Sequence, residues 1–255
     1  MNVLAADIIE RFYTFLWPMM RISAFMMVAP VFSLNAFNLR LRILLALAVT
    51  WLIFPLHAWP TLDPVSARGL VEIFNQLTIG ALMGLVLQIV VASLVVAGQN
   101  IATAMGLSMA NMMDPNMGNV PVLSQLLIVC STLIFVGFGG HTMALALIAD
   151  SFHSLPVGSS ILGQDTYGQV LRWSSMMFLG SLLIALPVVV SLLFINIGLG
   201  VVTRAAPSLN IFAVGFPAMI IAGFLILILS IDSIGGRIEW LWMQGFHTLR
   251  ALLGG

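Results

Sequence analysis

Stretches of about 20 apolar residues, the length a helix needs to cross a bilayer, follow one another along this chain with only short polar or Pro/Gly interruptions between them. Of its 255 residues, 61% are hydrophobic and 7% charged, whereas a soluble domain carries roughly 25% charged residues. A water-covered exterior is therefore excluded. The expected fold is all-α: a polytopic membrane protein of helical hairpins, with about six long apolar helices, a short re-entrant or buried helix and a C-terminal amphipathic helix. Residues 1–255 read as one integral membrane domain.

The first apolar run, Phe12 to Phe32, carries Arg21 and two prolines and lacks a convincing small-residue cleavage site, so it reads as a retained helix rather than a secretory signal. A polar bridge, Ser33 to Arg42, leads into a second run, Ile43 to Trp59, which Pro60, Asp63 and Pro64 stop. A third, Leu70 to Ala97, holds Gly80 and Gly84 at the GxxxG spacing that lets helix backbones approach. Val122 to Phe138 forms a fourth, and Thr142 to Ala149 is too short to span. After a loop from Ser151 to Gly168, a long helix is expected over Val170 to Val202 around Pro187, then a polar turn and a run from Ile211 to Ile231. The tail, Arg237 to Leu253, mixes Trp240, Trp242 and Phe246 with charged residues and predicts an interfacial amphipathic helix.

Nine arginines balance nine acidic residues, which leaves no basic excess for nucleic acid. The absence of lysine rules out a Schiff base and a P-loop. His57, His141, His153 and His247 lie in different segments with no HxxxH or HExxH spacing for a metal. Cys130 is the single cysteine, so neither a disulfide nor a thiolate site is available. Asp150, Ser151 and His153 are close enough in sequence to form a turn rather than a triad. No catalytic, cofactor-binding or metal-ligating residue is expected, and the chain reads as a non-enzyme. An ion-coupled transporter, the competing class, needs ionisable groups at mid-membrane depth. Glu72, Asp150, Arg172 and Asp232 fall near the ends of apolar runs, and only Arg21 looks embedded. Its expected role is an intramembrane ion pair or a bond to a carbonyl of a neighbouring subunit, with transport as the alternative.

The segment Gln99 to Pro121 stands apart. Five of the sixteen methionines, Met105, Met109, Met112, Met113 and Met117, fall within thirteen residues. Met105, Met109 and Met112 or Met113 recur at helical spacing, with Ala102, Gly106 and Ala110 on a neighbouring face. Asp114 and Pro115 end that predicted short helix, and turn formers follow. Unbranched, adaptable methionine suits a seal that deforms around varied surfaces. Two readings stay open on the residues alone, a compliant plug in a conduit and a methionine-filled core.

The stretch Gly198 to Pro217, GLGVVTRAAPSLNIFAVGFP, resembles the signature of the flagellar biosynthetic protein FliR family, whose virulence-secretion relatives form the SctT group. The resemblance covers the whole chain in order: Asp114-Pro115 with Asn119 to Leu123 (NVPVL), Gly140-His141, Asp150 to Gly158 (DSFHSLPVG), Ala185 to Val188 (ALPV) and that turn. Ser208 stands where many relatives carry glutamine. The resemblance implies a subunit of the type III secretion export gate in the bacterial inner membrane, within the flagellar basal body. It would assemble with FliP and FliQ and have FlhB attached near the channel entrance, with unfolded exported proteins as cargo. It also implies tilted hairpins partly lifted out of the bilayer, and an internal plug over about Ala104 to Val120, with Met105, Met109, Met112, Met113, Asp114, Pro115 and Met117 inside it.

The signature has its own physical reading. Pro207 breaks a helix, Asn210 caps the next, Gly215 permits close approach, and Pro217 frees a backbone carbonyl in an apolar helix. Arg204 is expected to reach a carboxylate or a helix C-terminus. Together with Phe212 and Phe216 these residues form an expected structural and subunit-contact motif.

Overall fold

The computed structural model describes residues 2–30, 32, 38–107, 122–158, 164–205 and 211–254, with side chains undescribed at 2–7, 164 and 211–214. Every regular element among the described residues is helical. In chain order they are α1 (Asn2–Val28), α2 (Leu39–Ile53) with a 3₁₀ turn at Phe54–Leu56, α3 (Ala67–Ala104), α4 (Val122–Gly137), α5 (Gly140–Ser154), α6 (Gln164–Ser174), α7 (Met176–Ala205), α8 (Ile211–Leu229) and α9 (Ile231–Leu252). Among the described residues, three helical stretches are long and apolar enough to cross a membrane, Leu39–Leu56, Ala67–Ala104 and Asp165–Ala205. The count becomes five if each of two bent pairs, α4 with α5 and α8 with α9, is one span. α1, whose 27 residues include Asp7, Glu10, Arg11 and Arg21, is not among them.

The apolar runs locate the helices and misplace several ends. α1 starts at Asn2, ten residues before the apolar run, and α3 runs on past Gln99 and Asn100 to Ala104. A helix satisfies its own backbone whatever its side chains are, so polarity alone does not end one. The short run after Phe138 is a helix of 15 residues, set off by Gly139 at φ 76°.

The chain divides into two compact units, one of residues 1–89, 139–174 and 244–255, the other of 90–138 and 175–243. In the first, α3 packs onto α1 through its two spaced glycines. A Cβ at Gly80 would collide with the backbone carbonyl of Arg21, and one at Gly84 would lie 2.8 Å from Val28 Cβ. The GxxxG spacing thus finds its partner within the same chain.

In the second unit, α3 and α4 meet at Gly98 and Ser124, whose hydroxyl donates to the Val95 carbonyl at 2.8 Å. α8 and α9 are bent by 63° about Ser230. The tail forms α9, in which Ile238, Leu241, Trp242, Phe246 and Leu249 are buried, so this side of the amphipathic helix packs within the chain.

Candidate functional site

α3 ends in a Schellman motif. The Leu107 N–H bonds the Ala102 carbonyl and the Gly106 N–H bonds the Thr103 carbonyl, both at 3.0 Å, while Gly106 takes φ 79°. This closure needs a left-handed residue after the helix cap, and glycine supplies it without a Cβ clash. The chain therefore leaves the helical path at Gly106, and the spacing that would place Met105 and Met109 on one continuous helical face is broken there. Gly106 serves as the cap rather than as a member of a small-residue stripe. The signal was in the sequence, since glycine followed by an apolar residue past a long helical run is the signature of this cap.

Met105 is completely buried. Its side chain lies on Gly223 of α8, where an added Cβ would be 2.5–2.7 Å from Cε, Cγ and Sδ. Beside it, the ring of Phe216 lies 3.5 Å from where a Cβ of Gly106 would stand. The other expected plug residues, Met109, Met112, Met113, Asp114, Pro115 and Met117, lie outside the described residues.

The signature runs from the end of α7 into α8; Pro207 and Asn210 between them lie outside the described residues, as does the side chain of Phe212. Arg204 is exposed in the last turn of α7, where a cation complements the helix dipole. Gly215 is buried, Phe216 half-buried, and Pro217 exposed inside α8.

Arg21 is completely buried and makes all its described hydrogen bonds within its own chain. Nε donates to Gln76 Oε1 at 2.7 Å, Nη1 to the Ser151 carbonyl and hydroxyl at 2.8 and 3.0 Å, and Nη2 to the Leu155 carbonyl at 2.7 Å. The guanidinium also stacks 4.3 Å from the Phe152 ring centroid. These carbonyls belong to the C-terminal end of α5, where intrahelical donors run out and the dipole is negative. The carboxylate arrives through an intermediary. Gln76 Nε2 donates to Glu72 Oε1 at 2.6 Å, and that oxygen also accepts the Gly158 N–H at 2.9 Å. Gln76 is thus the neutral link between a buried cation and a buried carboxylate, and the network joins α1, α3 and the end of α5. Asp150, Arg172 and Asp232 are exposed.

Sequence spacing gave no sign that His57 and His153 would meet. Their ring centroids are 4.3 Å apart, within an aromatic cluster with Trp59 and Phe152. Among the described residues no group of three or more His, Cys, Asp or Glu side chains is arranged to hold a metal ion.

The fold and these sites define an all-helical polytopic membrane protein, organised by buried packing and capping contacts. The model of bacterial export proteins, family 1, matches residues 12–245. The chain is 34% identical over 248 residues to the flagellar biosynthetic protein FliR of Pectobacterium carotovorum subsp. carotovorum, covering 97% of this chain and 95% of the relative. It is 31% identical over 240 residues to FliR of Escherichia coli (strain K12), at 94% and 92% coverage. For FliR of Bacillus subtilis (strain 168) the figures are 28% over 251 residues, with 97% of each chain covered. The chain belongs to this family of bacterial export proteins and is a membrane component of flagellar protein export.

Proposed function

We propose that this protein is a non-enzymatic subunit of the flagellar export gate in the bacterial inner membrane. It assembles with FliP- and FliQ-family proteins, with an FlhB-family protein at the entrance, around a channel for unfolded flagellar subunits. Its methionine-rich segment seals that channel when no cargo passes. The observation that carries this reading is the end-to-end match to flagellar FliR proteins, in a chain whose methionines concentrate just past the capped end of α3.

Co-expression with FliP and FliQ partners, followed by purification and subunit counting, tests the assembly. A stable complex of the three is expected, whereas a monomer that moves small solutes in liposomes by itself identifies a self-contained transporter. Deleting residues 108–117, which keeps Met105 and the helix cap, tests the seal. The assembled complex is expected to pass ions, and unchanged permeability removes the plug role. A deletion that changes assembly and leaves permeability intact identifies a scaffold.

A further inference from the structure

We propose that Gly223 and Phe216 of α8 are positioning residues that seat the stem of the methionine segment, so that the signature helix holds the seal in place. The inference rests on the plug reading above and adds where the plug is anchored. Gly223 lies seven positions after Phe216, about two helical turns, so both lie on one face of α8. That face meets two consecutive residues of the stem, Phe216 against Gly106 and Gly223 against Met105.

The seat is specific in shape. Because Met105 has no exposed surface, it cannot swing aside into solvent. A Cβ at position 223 would crowd Cγ and Sδ as well as the terminal methyl, so rotating the tip alone gives no relief. The Schellman closure fixes the direction in which the chain departs immediately beyond this seat. Displacing Met105 therefore shifts the capped end of α3 from which the methionine segment departs. Met105 itself acts as an anchor buried in its own chain, while sealing falls to residues further along.

The test exchanges size across the contact in the complex with FliP and FliQ partners, reconstituted in liposomes. Gly223→Val adds three carbon atoms, and Met105→Ala removes three heavy atoms from the facing side chain. Gly223→Val is expected to raise passive ion flux by about tenfold, equivalent to roughly 1.4 kcal/mol of lost seating, with the three subunits still co-purifying. The double variant Gly223→Val/Met105→Ala is expected to bring flux back towards the parent value, a rescue that a general loss of folding does not give. A sealed Gly223→Val complex, or a leak that Met105→Ala does not relieve, overturns the proposal. Should Gly223→Val lower the yield of complex, Met105→Ala alone, which adds no atoms, decides the matter: it leaks if the seat holds the stem, and a sealed complex overturns it. Deletion of residues 108–117 runs beside these variants. If that deletion leaks while Gly223→Val stays sealed, only the seat is lost; if the deletion stays sealed, the plug reading itself fails.

Discussion

Arg237 of α9 donates from Nη1 to the backbone carbonyl of Leu183, the carbonyl that Pro187 leaves without its intrahelical donor in α7. A proline inside a helix removes the N–H that would bond four residues back, and in an apolar protein no water replaces it at low cost. The guanidinium supplies the missing donor from a different helix. Arg237→Met is expected to destabilise the purified complex by about 0.5–1.5 kcal/mol, the net worth of a hydrogen bond to a carbonyl at an exposed residue. In a Pro187→Ala background the backbone N–H of residue 187 takes the carbonyl, and the same substitution is expected to cost much less. Thermal melting of the four proteins in the cycle checks this, and equal costs in both backgrounds exclude the relationship.

The elements legible in the sequence were those whose signal is local. Apolar runs placed α3, α4 and α8, and the GxxxG spacing identified a close-packing face on α3. Partners were not legible. Arg21 bonds residues 55, 130 and 134 positions away, and no local pattern encodes which carbonyls a buried guanidinium will find. The tail shows the same limit, because amphipathicity defines an apolar face without saying whether lipid or protein covers it. The methionine stem fell between these cases. Helical spacing linked Met105 to Met109, but a left-handed glycine between them outweighs periodicity, since the cap satisfies two terminal carbonyls at once.

Charge alone does not account for Arg21. Its flat fork reaches Gln76, the end of α5 and the Phe152 face together, a set of contacts an ammonium cannot reproduce. Arg21→Lys is therefore expected to lose about 2 kcal/mol or more, only modestly less than Arg21→Met. Protein abundance in membranes and the melting temperature of the complex measure this. Parent-like stability for the lysine variant would show that a point charge is sufficient.

Two helical glycines should respond in opposite directions. A Cβ at Gly98 would enter the backbone of Ser124, whereas nothing lies within 4 Å of one at Gly236. Gly98→Ala forces α3 and α4 apart and is expected to cost at least about 1–3 kcal/mol. Gly236→Ala removes a glycine's backbone freedom from a helix interior and is expected to gain about 0.5–1 kcal/mol. Melting each variant in the purified complex checks the pair. A destabilised Gly236→Ala in an otherwise assembled complex would mean that another surface occupies that space.

The indole N–H of Trp242 donates to Ser131 Oγ at 2.8 Å, and its ring packs 4.5 Å from that of Phe135 by centroid. Both bonded residues are buried, so removing the acceptor leaves an indole N–H with no low-cost alternative. Ser131→Ala is expected to destabilise by about 1–3 kcal/mol. Trp242→Phe should cost more than the bond itself, because it also vacates ring volume beside Phe135. In the Trp242→Phe background the serine has no donor to serve, and Ser131→Ala is expected to become nearly neutral. Melting temperatures of the parent, both single variants and the double variant give the coupling directly. Additive effects would show that Ser131 and Trp242 contribute independently.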